Sequence, residues 1–156
     1  MGAVKSPSQY FRAGVGAVIA NRYGQVLACE RTDARGSWQF PQGGLKKDES
    51  PAQAVLREVR EETGIRKRDL ELLDAYPQPL AYELPPEYWS PKRGRGQALY
   101  WFLFRLPDAD VPIDLEIAGE FCAWRWMGFE ELTRVTPEFR RPAYRQIYER
   151  FGRLLS

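Results

Sequence analysis

The apolar residues of the chain fall into short runs that are separated by turn-forming sequences. Residues 14–20 (GVGAVIA) and 25–30 predict two strands, and residues 21–24 (NRYG) predict the turn of a hairpin between them. Residues 98–106 (ALYWFLFRL) are almost continuously apolar, which is typical of a central strand buried on both faces. Two further strands are predicted at residues 70–76 and 121–127.

Two helices are predicted. Ser50 suits the N-cap of the first, Pro51 its first position and Gln53 a capping box with the serine, while Gly64 supplies the stop. Its apolar stripe consists of Ala52, Val55, Leu56, Val59 and Thr63. Residues 137–155 open with proline and repeat apolar residues at helical spacing, which predicts the second helix. These elements predict the α/β class, as an α/β/α sandwich around a mixed sheet in one domain over residues 1–156.

Two segments are predicted to be irregular. Residues 38–44 (WQFPQGG) contain a proline and two glycines, so we expect a rigid approach to the first helix that carries aromatic surface to a cleft. Residues 77–96 contain five prolines with aromatic and basic residues, which predicts a long surface loop. We expect substrate selection to reside in that loop.

Three acidic residues share one face of the first helix. Glu58, Glu61 and Glu62 follow each other at helical spacings of three and four, on a different face from the apolar stripe. Such neighbours repel each other, and Arg57 can neutralise only one of them. Hard cations that prefer oxygen ligands, such as Mg²⁺ or Mn²⁺, would compensate the charge. The alternative is the solvated face of an ordinary surface helix.

Composition narrows the chemistry. The chain has no histidine, which excludes a Ser-His-Asp hydrolase, a Cys-His protease and a His-ligated zinc hydrolase in their usual forms. Cys29 and Cys122 lack metal-site spacing and are expected to be buried free thiols. No long apolar run or secretory leader is found, so we expect a cytoplasmic protein that does not contact a membrane. Residues 1–6 match the N-myristoylation pattern, but no second anchoring signal accompanies it.

The net charge is only +2, yet basic residues cluster. Residues 134–153 carry six arginines, and Lys92, Arg93 and Arg95 form a second basic run. Basic clusters beside a phosphate-handling site favour a polyanionic substrate, including the 5′ end of RNA. For most of the arginines the alternative is a place on a soluble terminal helix whose surface carries many salt bridges.

The acidic helix belongs to a longer motif. The pattern G-x5-E-x7-R-E-U-x-E-E-x-G-U, with U apolar, is matched without a gap by Gly43, Glu49, Arg57, Glu58, Val59, Glu61, Glu62, Gly64 and Ile65. This segment resembles a complete Nudix box. The resemblance implies a Nudix-type α/β/α sandwich and a hydrolase of nucleoside diphosphate derivatives that uses Mg²⁺ or Mn²⁺, with more than one ion in the site.

The resemblance also implies residue roles. Glu58, Glu61 and Glu62 would be metal ligands together with the Gly44 carbonyl, and Arg57 and Glu49 would be the orienting pair. Metal ions lower the pKa of a bound water and stabilise the charge that develops on phosphate, which suits phosphoanhydride hydrolysis. One of the carboxylates would accept the proton of the attacking water, and the sequence leaves open which.

The flanks of the box narrow the resemblance to a branch of the family. Phe11-Arg12, Arg31 with Asp33, SWQFPQGG, Glu120 before WRW, and Phe139-Arg140-Arg141 resemble bacterial RNA 5′-pyrophosphohydrolases and asymmetric diadenosine tetraphosphate hydrolases. This implies that Glu120 completes the metal site and that Arg12, Arg31 and Arg140 contact the substrate. A rim salt bridge for Arg31 and a solvated Glu120 remain as alternatives.

The chain departs from that branch at one position. A lysine usually precedes the Trp-Phe pair, whereas here the sequence is Ala98-Leu99-Tyr100. Tyr100 would either stack on a base or pack in the core. Tyr82, Tyr88 and Trp89 in the long loop are further candidates for stacking, with ordinary loop packing as the alternative.

The sequence therefore predicts an enzyme that hydrolyses dinucleoside polyphosphates, the 5′-triphosphate end of RNA, or both. Hydrolysis of free nucleoside triphosphates or nucleotide sugars is the alternative. A nucleotide-binding regulator without catalysis is disfavoured because the three box glutamates are present. Nucleotides and RNA 5′ ends are the expected partners, DNA is not, and the chain is expected to be a monomer or homodimer.

Overall fold

The structure is a computed structural model that describes residues 10–155, so the acylation pattern at residues 1–6 lies outside the described part. The strands are β1 (Phe11–Ala20), β2 (Val26–Arg31), β3 (Ala34–Gln39), β4 (Gln42–Gly44), β5 (Glu71–Ala75), β6 (Leu80–Glu83), β7 (Gly96–Arg105) and β8 (Phe121–Met127). The helices are α1 (Pro51–Thr63), α2 (Phe129–Val135) and α3 (Arg141–Phe151).

All eight strands belong to one mixed sheet whose main order is β3-β2-β1-β7-β5. At its centre β1 and β7 run parallel, from Phe11 opposite Gly96 to Ala20 opposite Arg105. The remaining pairs are antiparallel, with β4 on β1, β6 on β7 and β8 on β2. The predicted hairpin is confirmed only at its turn, because β1 and β2 pair at Ala20 and Val26 and β2 then pairs with β8.

Side chains of the central strands alternate between two cores. On one face Val15 of β1 and Phe104 of β7 pack beneath α1, which contributes Val55 and Val59. On the other face Trp101 packs with residues of α2 and α3. Helices thus cover both faces of a mixed sheet, and the predicted α/β/α sandwich and doubly buried central strand are confirmed.

The first helix begins and ends where the sequence predicts, but the set of residues that it buries differs from the prediction. Ala52 is exposed, whereas Ala54 is buried with Val55 and Val59. Glu62 is also buried, so the acids do not share one solvated face. The buried stripe is wider than the spacing suggested, because α1 packs against both β1 and β4.

Other segments also differ from the expectation. Residues 77–96 are not one loop, since they contain β6 and a 3₁₀ turn at Pro86–Tyr88. Residues 38–44 include the end of β3 and all of β4. The last helix begins at Arg141, after a 3₁₀ turn at Glu138–Arg140. The sequence missed α2, whose seven residues are too few for a clear helical period.

The two cysteines have different surroundings. Cys29 is buried as expected, but Cys122 is exposed, so the expectation of two buried thiols is wrong for Cys122. Burial, and more weakly the charge of Glu62, raises the pKa of the Cys29 thiol well above its ordinary value. No helix between residues 10 and 155 is long and apolar enough to cross a membrane.

Candidate active site

Both ends of α1 are capped, which fixes the helix against the sheet. Ser50 Oγ accepts a hydrogen bond from the Gln53 backbone N–H at 3.2 Å, and Gln53 Oε1 accepts one from the Ser50 N–H at 3.0 Å. Gly64 ends the helix in the left-handed conformation (φ 77°), and its N–H donates to the Arg60 carbonyl at 2.9 Å. The capping box and glycine stop predicted from the sequence are both present.

Arg57 joins the helix to the loop that precedes it. Its guanidinium donates to both carboxylate oxygens of Glu49, at 2.7 and 2.8 Å, and to the Gly44 carbonyl at 2.9 Å. These bonds, with one from the Lys46 N–H, lower the pKa of Glu49 to about 2. The paired geometry is that of an arginine-carboxylate fork and orients both side chains.

The same guanidinium also reaches two helix acids. Its Nη1 donates to Glu58 Oε1 at 2.8 Å and more weakly to Glu61 Oε2 at 3.3 Å. Glu58 Oε2 is not engaged by Arg57, so it is available to another partner. Burial raises the pKa of Glu58 despite the opposing effect of Arg57.

Two glycines of β4 allow side chains to approach the backbone closely. A Cβ on Gly43 would overlap the carboxyl group of Glu58. A Cβ on Gly44 would lie 2.5 Å from Nη2 of Arg12. Glycine at these positions thus places a carboxylate and a guanidinium on either side of the Gly43–Gly44 backbone.

Glu62 is the most unusual acid of the group. Its residue is 1% exposed, and neither carboxylate oxygen has a hydrogen-bond donor within residues 10–155. Burial raises the pKa of Glu62 to about 10, and the charges of Glu58 and Glu120 add to the effect. A buried carboxyl without a donor is costly, so this position calls for a compensating positive charge.

Glu120 approaches the helix acids from a distant part of the sequence. Its carbonyl accepts a hydrogen bond from the Thr32 N–H at 3.0 Å, which ties the start of β8 to the end of β2. Glu120 is exposed, and its charge acts on the pKa of Glu58, Glu62 and Arg31. The structure therefore brings Glu58, Glu62 and Glu120 into one neighbourhood.

These residues fit a divalent cation in their donor chemistry. The donors are carboxylate oxygens and the Gly44 carbonyl, which are the ligands that Mg²⁺ and Mn²⁺ prefer. Both oxygens of Glu62 lack a partner, as a ligand awaiting a cation would. Within residues 10–155, no three Asp, Glu or Cys side chains are already gathered in a ready-made metal cage. Arg57 is ion-paired with Glu58 at 2.8 Å and with Glu61 at 3.3 Å, so two of the box acids already have a positively charged partner.

A cleft of about 490 Å³ opens beside these acids. Glu58, Gly44 and Glu120 lie in its wall, and four arginines surround them. The arginines are Arg12, Arg31, Arg93 and Arg140. A cleft that combines carboxylates with guanidinium groups suits a polyphosphate and its metal ions.

Aromatic and amide side chains also line the cleft. Tyr82 OH donates to Gln97 Oε1 at 2.7 Å, and Gln42 Nε2 donates to the same oxygen at 2.8 Å. Arg140 is 7% exposed, and its guanidinium lies 4.8 Å from the Phe139 ring and 5.8 Å from the Tyr82 ring. These contacts hold Tyr82 and Arg140 in place at the cleft.

The structure does not bring every predicted residue to the cleft. Tyr100 lies on the α1 side of β7 and packs against the core there, because neighbouring residues of a strand face opposite ways. Its predicted contact with the substrate is therefore not supported, and the core-packing alternative is. Glu61 is not among the cleft residues, and its side chain is 45% exposed. The Trp89 indole N–H donates to the Leu84 carbonyl at 2.7 Å, so Trp89 stabilises its own loop.

The sequence missed some cleft residues. The sequence predicts Gln42 only as part of the irregular segment 38–44, and it assigns no role to Gln97. Arg93 appeared in a basic run without a site. Only its positive charge signalled a role. The pairings of β4 with β1 and of β6 with β7, and the turn that carries Arg93, bring these residues to the cleft, and none of them is visible in one sequence.

Arg31 was expected either to contact the substrate or to form a salt bridge at the rim of the site. Its guanidinium donates to both carboxylate oxygens of Asp33, at 2.7 and 2.9 Å, so the predicted rim salt bridge exists. The same residue lines the cleft with Asp33 and lies near Glu120. A salt bridge and a place in the cleft thus coexist.

Comparison with known proteins agrees with this geometry. The NUDIX domain family matches residues 10–151. The chain is 37% identical over 153 residues to the RNA pyrophosphohydrolase of Erythrobacter litoralis, which covers 93% of both chains. It is 40% identical over 146 residues to the RNA pyrophosphohydrolase of Pectobacterium atrosepticum, over 90% of this chain and 82% of that one.

Solved structures share the fold. The dihydroneopterin triphosphate pyrophosphohydrolase of E. coli superimposes with a TM-score of 0.72 and 24% identity, over 88% of this chain and 97% of that one. The Ap4A hydrolase of C. elegans gives a TM-score of 0.71 with 20% identity, over 90% and 98% of the two chains. The matched family, the relatives and the intact box together show that the chain belongs to the Nudix family.

Proposed function

We propose that this chain is a metal-dependent pyrophosphohydrolase that acts on the 5′-triphosphate end of RNA. The observation that carries the proposal is the cleft in which Glu58, Glu120 and the Gly44 carbonyl face four arginines. Its chemistry suits a polyphosphate, and relatives at 37–40% identity over most of the chain are RNA pyrophosphohydrolases. Release of pyrophosphate would leave a 5′-monophosphate on the RNA.

Nudix hydrolases generally use divalent metal ions, and we infer Mg²⁺ or Mn²⁺ here, with more than one ion in the site. Glu58 Oε2, Glu62, Glu120 and the Gly44 carbonyl would hold them. Such ions supply a more acidic bound water and neutralise charge on the phosphates. Arg57, clamped by Glu49, keeps Glu58 and the Gly44 carbonyl in position for this task.

Glu61 has a different place from the other box acids. Its side chain is 45% exposed and only weakly paired with Arg57 at 3.3 Å. It can therefore move toward the metal ions at little energetic cost, either as a further ligand or as the group that accepts the proton of the attacking water.

Arginines on the cleft wall would bind the phosphates. Arg12 lies against Gly44 and lines the same cleft as Glu58 and Glu120, so it is placed for the phosphates that react. Arg31 and Arg140 would contact the phosphates or sugar farther along. A guanidinium offers planar, paired donors to phosphate oxygens. Tyr82, held by Gln97, would stack on a base.

A product assay tests the proposal. The protein is incubated with Mg²⁺ or Mn²⁺ and either 5′-triphosphorylated RNA or diadenosine tetraphosphate, and the products are separated. We expect pyrophosphate and 5′-monophosphorylated RNA from the first substrate. Release of AMP and ATP from the second alone would instead identify a dinucleoside polyphosphate hydrolase.

Variants tie the activity to the site. Glu62→Gln and Glu61→Gln should each lower kcat by at least about a hundredfold, because each removes a carboxylate from the metal site. Glu149→Gln is the matched control, since Glu149 lies on α3 away from the cleft. Activity near the wild-type level in both box variants would reject the proposed mechanism.

Two expectations from the sequence stay predictions. The chain is expected to be a monomer or homodimer, and its location is expected to be cytoplasmic. Size-exclusion chromatography with light scattering and fractionation of cells would measure them.

A further inference from the structure

A hydrogen-bonded turn lies between β6 and β7, and its residue Arg93 lines the cleft. The Ser90 carbonyl accepts a hydrogen bond from the Gly94 N–H at 2.7 Å, and Ser90 Oγ accepts one from the Arg93 N–H at 3.0 Å. Gly94 has a φ of 66°, which favours glycine. Residues 90–94 thus form a tight turn with few backbone alternatives.

Tyr10 holds this loop against the start of β1. The Arg95 N–H donates to the Tyr10 carbonyl at 2.8 Å, and the Tyr10 hydroxyl donates to the Pro91 carbonyl. A Cβ on Gly94 would lie 2.5 Å from the Tyr10 carbonyl oxygen and 2.9 Å from its ring. The loop therefore has a fixed position relative to the cleft.

Arg93 is the residue that this loop presents to the cleft. It is exposed and forms no ion pair with any residue of the described part of the chain. The cation Lys92 next to it is not among the cleft residues. Arg93 is thus a free guanidinium held beside the proposed site.

Exposure gives its position in the cleft. Glu62 is buried and the Glu58 side chain is 14% exposed, so these carboxylates lie on the inner side. Arg93 is exposed, and the side chain of Asp33, which lines the same cleft, is 66% exposed. Arg93 therefore lies on the outer, solvent-exposed side of the cleft.

We propose that Arg93 binds a phosphodiester phosphate of the RNA, downstream of the 5′ nucleotide. This inference rests on the proposed function. In the proposed function the reacting phosphates would lie beside the acids and Arg12, so a cation on the outer side of the cleft would meet the RNA chain that follows them. A guanidinium forms paired hydrogen bonds to a phosphate, and a pre-formed loop loses little entropy on binding.

Salt dependence tests this contact. Arg93→Ala should lower kcat/KM for a 5′-triphosphorylated oligonucleotide about two- to fivefold. It should also reduce the slope of log(kcat/KM) against log[salt] by about 0.7, the value for one phosphate contact on a single strand. Lys92→Ala is the control and should change neither quantity. Equal effects in the two variants would overturn the proposal, because they would reflect general charge.

Neutral linkages locate the phosphate. Each of three oligonucleotides carries one uncharged methylphosphonate, at the first, second or third internucleotide linkage. The sugar beside that linkage is 2′-O-methylated, and the fully charged reference substrate carries the same modified sugar. The effect of Arg93→Ala should vanish for one of the three. An effect that persists undiminished with all three, or no effect on the charged substrate, would overturn the proposal.

A second variant tests the role of the loop. Gly94→Ala keeps every charge but forces the loop away from Tyr10, so it should reduce the salt slope by about as much as Arg93→Ala does. An unchanged salt slope in Gly94→Ala would contradict the fixed loop. Failure of the proposed function is a separate outcome, since the wild-type protein would then release no pyrophosphate from any of these RNAs.

Discussion

Replacing Glu62 with glutamine is expected to stabilise the metal-free protein while removing its activity. Glu62 is 1% exposed, and its carboxylate oxygens have no hydrogen-bond donor between residues 10 and 155. Burial, with the charges of Glu58 and Glu120, raises its pKa from 4.5 to about 10. Without a cation, this position is destabilising in the charged state, and an amide of the same shape avoids the charge.

The pH range of the effect follows from the direction of the shift. Above pH 4.5 the unfolded chain releases the proton, but the folded protein keeps it until its raised pKa is reached. Each pH unit in this window lowers the free energy of unfolding by about 1.4 kcal/mol. From pH 4.5 to about pH 7.5 the free energy of unfolding would therefore fall by about 4 kcal/mol in all. Relaxation of the site reduces it, so we expect Glu62→Gln to gain about 1–3 kcal/mol.

Unfolding in EDTA measures this difference. Urea and thermal unfolding at pH 5 and pH 8 should show a gain that is small at pH 5 and larger at pH 8, with Tm raised by about 3–10 °C at pH 8. Glu61→Gln is the matched control on the same helix. Its side chain is 45% exposed, so its unfolding free energy should change by less than about 0.5 kcal/mol. A destabilised Glu62→Gln, or a gain independent of pH, would refute the reasoning.

Three further predictions concern the same site. Binding of Mn²⁺ at about pH 7.5 should release protons, because a bound cation lowers the pKa of Glu62. Titration calorimetry in two buffers of different ionisation enthalpy should detect this proton release in the wild-type protein and a smaller release in Glu62→Gln. Gly43→Ala should lower kcat/KM at least about a hundredfold, since its Cβ overlaps the Glu58 carboxyl group, whereas Gly128→Ala, with open space around it, should keep full activity. Glu49→Gln should destabilise the fold at neutral pH, because it removes the charge that pairs with Arg57. The lowered pKa of Glu49 preserves this pair until the pH approaches about 2. In urea unfolding, the difference in stability from wild type should therefore disappear as the pH falls from 4.5 toward about 2.

The ends of α1 could be predicted because Ser50, Gln53 and Gly64 are local signals. The pairing of Glu49 with Arg57 was implied only by the resemblance to the Nudix box, and the structure contains it. Strands rich in apolar residues were also found, since burial on both faces leaves a continuous run such as that of β7.

The burial of Glu62 could not be predicted from periodicity. Helical spacing assigned it to an acidic face, but the helix sinks into the sheet far enough to cover it. Which acids are buried depends on the approach of β1 and β4, a non-local contact. The loop 90–94 and β6 were missed for a related reason, because strand pairing with β7 and the contact with Tyr10 define them.

Tyr100 shows how strand alternation decides a role. Sequence order alone placed it near the position of a substrate contact, and both a stacking role and core packing were compatible with its side chain. The parallel pairing of Val15 with Tyr100 sets the register, and Tyr100 then faces α1 rather than the cleft. The orientation of a strand residue requires the register, which the sequence does not provide.

The position of bound metal tests the central claim most directly. Crystals soaked in Mn²⁺ and measured at the manganese absorption edge should show anomalous peaks within about 2.2 Å of oxygens of Glu58, Glu62 and Glu120. The Glu62→Gln protein, soaked in the same way, should lose or weaken them. Peaks only at other sites, in crystals of a protein that releases pyrophosphate from RNA in solution, would contradict the account.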